Sequence, residues 1–399
     1  MHATLAGRLI STLAFGFIAT SCGNTTTYAD GGTPEGGVQV QDTWAQVSGD
    51  GFGFPTQGTV PEMEVFTGNL YVSTAAAPNT KGQAKLYRSS TGDSGSWKDV
   101  TPPLAGDASI HSFGSTTLGG GYLWCATGSA SGAMIFRSQN GVDWIPIATR
   151  GFGNSGLIGA APHMVVFQGP SDATPYLYAG MGAHGAGTKA QVWRIPYTDS
   201  DPAHWVKLFD FGDVSDSKID LVSYFYVWNS KVYFSTNAGA QLWESTDGMT
   251  FTKNAGVADG FGDPNNKVIA SLESFNGYLY ATTTNPTRGG QVWRTSNGTK
   301  WEQITADAFG KGPSVSEVRS IRASFGKLWA TGYTDITLSK GTPVWRSDDG
   351  VTWVQSNTDG FGDSKNNGEN AITMGFGDYQ YFGGPNYAAG GQIWRTKVN

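Results

Sequence analysis

One phrase recurs along this chain at near-constant spacing, and it constrains the fold more than any other feature. An apolar, aromatic-rich run ending on a charged residue appears at Arg88 in KLYRS, Arg137 in MIFRS, Arg194 in QVWRI and Glu244 in QLWES. It returns at Arg294 in QVWRT, Arg346 in PVWRS and Arg395 in QIWRT. Subtracting neighbouring positions gives 49, 57, 50, 50, 52 and 49 residues. A period of about fifty residues marks a repeat architecture, in which each copy is one supersecondary unit that buries its apolar faces against the next.

The order inside each copy is constant. A glycine loop comes first: GFG at 51–53, 151–153, 260–262 and 360–362, AFG at 308–310 and DFG at 210–212. An apolar strand, a turn such as FNG (275–277) and a second strand such as YLYATTT (278–284) follow. A loop of variable length leads to the anchor strand, and an Asn-Gly or Asp-Gly turn leads to a last strand that opens on an aromatic. Each copy is therefore expected to hold four short strands. The Asx-Gly pairs predict two-residue type I′ hairpins. The aromatics three residues past the glycine (Trp144, Phe251, Trp301, Trp353), with Trp97 and Trp205 after longer turns, are expected to cover the outer edge of each sheet.

The seventh copy stops after its anchor strand, while DTWAQVSGDGFG (42–53) supplies an unassigned strand with Trp44 where the closing aromatic belongs. A linear solenoid would carry capping repeats at its ends. A unit split between the two ends suits a closed ring, because joining the halves removes the exposed edges. The expected fold is all-β: a seven-bladed β-propeller of four-stranded blades, closed by an N-terminal strand (42–48) that completes the C-terminal blade. A β-helix is the alternative, but its coils are usually shorter and need no split unit.

Composition narrows the function classes. With 13% aromatic and 15% charged residues the chain is not of disordered type. The net charge of −6 is spread along the chain without a Lys/Arg cluster, which argues against nucleic acid or an anionic membrane surface as partner. The first 21 residues read as a signal peptide: Arg8, then the apolar run LISTLAFGFIAT, then ATSC ending at Cys22. That run falls short of the roughly 20 residues needed to span a bilayer. ATSCG resembles a bacterial lipobox, with Ala19 where a larger aliphatic residue is usual, so Cys22 is the expected lipidation site and plain secretion the alternative. Residues 22–41 are a polar tether and 42–399 the propeller. The expected product is exported, held at the cell envelope only through a lipid anchor or else secreted, and monomeric. Cys125, in GYLWCATG, is expected to be a buried small hydrophobe.

The hairpin RSDDGVTW (346–353) resembles the Asp-box, or BNR repeat, of sialidase-like propellers, written S-x-D-x-G-x-T-W. Ser347, Asp349, Thr352 and Trp353 match in a turn one residue shorter, and the copies at Ser138, Ser245 and Thr295 keep the shorter form. The resemblance covers the body from about residue 42 and implies a fold class, not an activity. Sialidase activity would require three arginines converging on a carboxylate, a tyrosine–glutamate nucleophile pair and an acid aspartate. WRIP (193–196) imitates a sialidase signature, yet its Arg194 lies in register with the recurring anchor arginines, which points to a structural role.

Residues that the repeat does not require are the candidates for chemistry. Glu64 and Glu273 stand at matching offsets before FTG and FNG; His111 and His163 lie on the same type of strand. SYFYVW (223–228) adds Tyr224 and Tyr226, and SEVRSIR (316–322) adds Arg319 and Arg322. Arg, Tyr, His and Glu around one opening could bind an acidic sugar. A polysaccharide lyase would use arginine to neutralise a uronate and histidine or tyrosine to move protons, and paired carboxylates could serve a hydrolase. Glu273, Arg319, Arg322, Tyr224 and His163 are the catalytic candidates; the same strand positions also line solvated channels. The Asn/Asp/Gly loops suit hydroxyl-rich ligands or simply make turns. No cofactor is expected: the DGFGD loops offer only weak support for calcium, and the histidines lack zinc-ligand spacing. Three readings follow: a non-catalytic propeller binding a glycan or protein, which is preferred; a glycoside hydrolase or polysaccharide lyase; and an assembly or scaffold factor.

Overall fold

The computed structural model describes residues 42–76, 84–103, 109–129, 131–154, 156–157, 163–183, 188–214, 218–335, 337–338 and 340–398. The chain divides into two units, Met1–Val38 and Gln39–Asn399. The signal peptide, Cys22 and the tether up to residue 41 lie outside the described residues.

Every strand pairing is antiparallel. Among the described residues, five separate four-stranded sheets and one eight-stranded sheet account for the strands. The eight-stranded sheet is two four-stranded units joined by the single pair Thr284–Glu317, so seven blades result. The innermost strands are Met63–Phe66, Ile110–Gly119, His163–Phe167, Val222–Trp228, Val268–Phe275, Val315–Ser324 and Ile372–Phe376. Each packs beside the innermost strand of the next blade, and the seventh returns to the first. The ring is closed by Trp44–Gln46, which pairs with Gln392–Lys397: Trp44 lies opposite Thr396, Ala45 opposite Arg395 and Gln46 opposite Trp394. This is the seven-bladed propeller expected from the split unit. Among the described residues no helix is long and apolar enough to cross a membrane.

The recurring residues hold blade to blade. The outer-strand tryptophans do not cover a free edge; they enter the interface with the preceding blade. Trp97 donates to the Val47 carbonyl at 2.9 Å, Trp144 to Val100 at 2.9 Å and Trp205 to Ile147 at 2.7 Å. Trp44 repeats the contact across the closure, donating to the Ser356 carbonyl at 3.2 Å. At Trp97, Trp144 and Trp205 the indole buries a large apolar surface while its N–H pairs with a neighbouring carbonyl; the buried N–H groups of Trp301 and Trp353 have no such partner among the described residues.

The Asx-Gly turns also differ from the expected type I′, in which both central residues would have positive φ. Among Asn140, Asp247, Asn297, Asp349 and their glycines, only the glycines are left-handed. Side chains supply the reason. In the Ser347 turn the Ser347 hydroxyl accepts from the Gly350 N–H at 2.8 Å, while Asp349 Oδ1 accepts from Val351 and Thr352 at 2.8 and 2.7 Å. These bonds fold the turn around the aspartate, leaving only Gly350 at φ 75°. A second demand falls on the same glycine, because a Cβ there would sit 2.0 Å from the Tyr280 hydroxyl of the preceding blade.

The GFG loops are structural too. Phe52, Phe152, Phe261, Phe309 and Phe361 all adopt positive φ, from 53° to 58°, a costly conformation for a bulky side chain. Packing offsets the strain: Phe261 stacks on Trp293 at 4.8 Å and Phe361 on Trp394 at 4.6 Å. Arg194 is bound to Asp172 at 2.9 Å and lies over the Tyr176 ring at 3.9 Å, consistent with its expected structural role. Cys125 is fully buried.

Candidate functional site

The inner strands carry one position that can be compared around the whole ring. Its cross-strand partner is always an aromatic: Glu64 pairs with Tyr71, Thr117 with Trp124, Val165 with Tyr178 and Tyr226 with Tyr233. The series continues as Glu273 with Tyr280, Arg322 with Trp329 and Met374 with Tyr381. The seven aromatics are buried and uniform in kind, whereas the residues paired with them are all different in chemistry except the two glutamates. Two residues earlier stand Glu62, just ahead of the first inner strand, and His163 and Tyr224 on theirs. Side chains two apart on a strand share a face, so the two sets form successive tiers.

These tiers enclose a cavity of about 350 Å³. Its walls include Glu62 and Glu64 of the first blade, Thr116 and Thr117 of the second, His163–Val165 of the third and Tyr224–Val227 of the fourth, with Glu273 of the fifth and Arg322 of the sixth. Six of the eight candidates thus converge: Glu64, His163, Tyr224, Tyr226, Glu273 and Arg322. Arg319 and His111 are not part of the lining. Arg319 falls in a register shift between Val318 and Ser320, where it donates to Glu317 and to Asn370, both at 3.1 Å. His111 is exposed, at a register shift near the start of the longer second-blade strand. Glu62, Thr116 and Thr117 were absent from the sequence-derived set; Glu62 was signalled by its spacing of two from Glu64 in PEMEVF.

Hydrogen bonds orient most of the polar wall. Arg322 Nη1 donates to the Tyr224 hydroxyl and lies 3.4 Å from Ser271 Oγ. Tyr226 donates to Glu273 Oε1 at 2.7 Å, and the Ser274 N–H donates to the same carboxylate at 3.0 Å. Glu64 accepts from the Val65 N–H at 3.0 Å. The His163 and Tyr224 rings approach to 4.6 Å. The Glu62 backbone is clamped to Ser73, whose N–H donates to the Glu62 carbonyl at 3.0 Å. The Glu62 carboxyl and the His163 ring make no hydrogen bond among the described residues.

Electrostatics follows from burial. Removal from water pushes the Glu62 carboxyl up to about 8, with the nearby Arg322 working against the rise and Glu64 adding to it. Burial likewise raises Glu64 to about 7 and lifts Glu273 above the usual carboxylate range. His163 is pulled down to about 3, first by burial and then by the charges of Arg319 and Arg322. Near neutral pH the cavity therefore presents a guanidinium, a neutral imidazole and a carboxyl that keeps its proton. That set can bind an anion, accept a proton and give one. Among the described residues no group of three or more His, Cys, Asp or Glu side chains is placed to hold a metal ion.

No family model and no curated protein matches the chain. Solved structures do. The fold is similar to that of a prolyl endopeptidase, with a TM-score of 0.51, 13% identity and coverage of 86% of this chain; the chain spans 50% of that one's length. It is similar to the endosialidase of phage phi92, with a TM-score of 0.50, 11% identity, and 90% and 69% of the two chains covered. It is also similar to a polysaccharide lyase, an ulvan lyase bound to a GlcA-containing ligand, with a TM-score of 0.50, 12% identity, and 88% and 95% covered. At such identities the likeness is one of fold, and it supports a β-propeller.

Proposed function

We propose that this chain is an exported enzyme that cleaves an acidic polysaccharide by elimination in the axial cavity. The observation that carries the reading is the contrast between the two strands of each blade: seven equivalent aromatics on one, and Glu, Thr, Val, Tyr, Glu, Arg and Met on the other. A repeat lectin would present one pocket several times. Here unlike side chains from six blades meet once, which favours catalysis over the non-catalytic binding preferred from sequence.

In this reading Arg322, steadied by Tyr224, takes the uronate carboxylate. Neutralising that charge acidifies the adjacent carbon–hydrogen bond. His163, neutral through most of the physiological range, is the base that removes the proton. The apolar run and ATSC before Cys22 support export, with lipidation of Cys22 as the mode of attachment. The near-complete mutual coverage with an ulvan lyase fits the same reading by size and fold.

Hydrolysis is the competing chemistry, favoured by the 2.7 Å Tyr226–Glu273 pair, in which the carboxylate could take the phenol proton and make the oxygen nucleophilic. The test is a panel of uronate-containing polysaccharides monitored by ultraviolet absorbance for unsaturated ends and in parallel for reducing ends. Unsaturated product that vanishes in Arg322→Ala is the expected result. Reducing ends without unsaturation would replace elimination by hydrolysis.

A further inference from the structure

Glu62 is the one acidic residue of the cavity wall whose carboxyl has no hydrogen-bond partner among the described residues, a lack it shares there with the His163 ring and the Thr116 hydroxyl. It is only 8% exposed. Glu64 and Glu273 each accept hydrogen bonds, and Arg322 is tied to Tyr224. A buried polar group without a partner is costly, and this one is held toward the cavity by the Ser73 clamp on its backbone. The missing partner is therefore sought in a ligand.

We infer that Glu62 is the acid of the reaction, donating its proton to the glycosidic oxygen that leaves. This assignment rests on the elimination reading above. His163 removes the proton from the carbon bearing the uronate carboxylate, and that electron pair becomes the carbon–carbon double bond. The neighbouring carbon–oxygen bond breaks with its electrons passing to oxygen, and the Glu62 proton moves to that oxygen. An imidazolium and a carboxylate remain, and proton exchange with water resets both. Acid and base come from equivalent positions in the first and third blades, on the tier next to the one holding Arg322. The charged and titratable groups around Glu62 are Glu64 on its own strand, His163, Tyr224, and the two arginines Arg319 and Arg322. Burial outweighs the arginines and keeps the acid protonated up to about 8.

The experiment compares Glu62→Gln and Glu62→Asp with the unmodified chain on a uronate polymer and on a uronate carrying fluoride in place of the glycosidic oxygen. Fluoride leaves without needing a proton. Glu62→Gln should lose about a hundredfold or more on the polymer, the usual scale for a general acid, and less than about tenfold on the fluoride. The alkaline limb of kcat/KM should disappear with it, and Glu62→Asp should restore part of the polymer rate. Equal losses on both substrates, or an unchanged polymer rate beside an active parent chain, would overturn this role alone. Failure of the parent chain to form unsaturated product would overturn the elimination reading, and the assignment with it.

Discussion

Exchanging Glu62 for glutamine removes an ionisable group while keeping its shape, and the consequence for stability can be worked from the site. In the folded chain burial holds the Glu62 proton up to about 8, against an ordinary value of 4.5. Between those values the folded state binds more protons than the unfolded state, so stability falls as pH rises through the window. Below it both states are protonated and the substitution is nearly neutral. Above it the rise corresponds to on the order of 5 kcal/mol, at about 1.4 kcal/mol per unit. His163 works in the opposite sense, since its depressed value makes the folded state bind fewer protons between about 3 and 6.5. That contribution is common to both proteins and cancels in their difference. Denaturant unfolding of both chains at about pH 5 and about pH 9 measures the effect. Glu62→Gln should stay within about 1 kcal/mol of the parent at the lower pH and exceed it by several kcal/mol at the higher. A difference that is the same at both would mean that Glu62 is already ionised in the folded chain, and the reasoning about its environment would fail.

Four further outcomes are expected. His163 titrates near 3, so turnover should show no acid limb above about pH 4, whereas His163→Ala should lower kcat by about a hundredfold or more, both read from pH–rate profiles. Tyr226→Phe removes the hydroxyl bound to Glu273 and should leave elimination within about tenfold of the parent; a larger loss would favour the hydrolytic use of that pair. Gly350→Ala forces a side chain onto a residue at φ 75° and against the Tyr280 hydroxyl, and should cost about 3 kcal/mol in denaturant unfolding. Trp44→Ala takes away the indole that meets Trp329 and Phe361 at the ring closure and should cost about 3–5 kcal/mol, read the same way.

The architecture was legible because each blade must repeat the same packing solution. The hairpin glycines recur since each meets a tyrosine of the preceding blade, and the anchor arginines and loop phenylalanines recur since they pack on equivalent aromatics of their own copy. The geometry of those contacts was harder to read. A tryptophan after a turn suggests an edge cover until the preceding blade's carbonyl is seen beneath Trp144. An Asp-Gly pair suggests two positive φ angles until the Asp349 side chain is seen folding the turn by itself. The candidate site was found by looking for departures from the repeat, which located Tyr224, Glu273 and Arg322 in a common cavity. That approach failed where the register shifts. The extra residue between Val318 and Ser320 carries Arg319 out of the lining, and the irregular start of the second inner strand leaves His111 outside it. Glu62 was overlooked although simple alternation with Glu64 placed it on the same face.

The proposed chemistry meets its most direct test in water enriched with heavy oxygen. Elimination takes no oxygen from solvent into the new ends, so the products of a uronate polymer, sampled before the free anomeric oxygen exchanges, should contain no label and show the mass of an unsaturated sugar. Label at the cleaved position, with the mass of one added water, would contradict it.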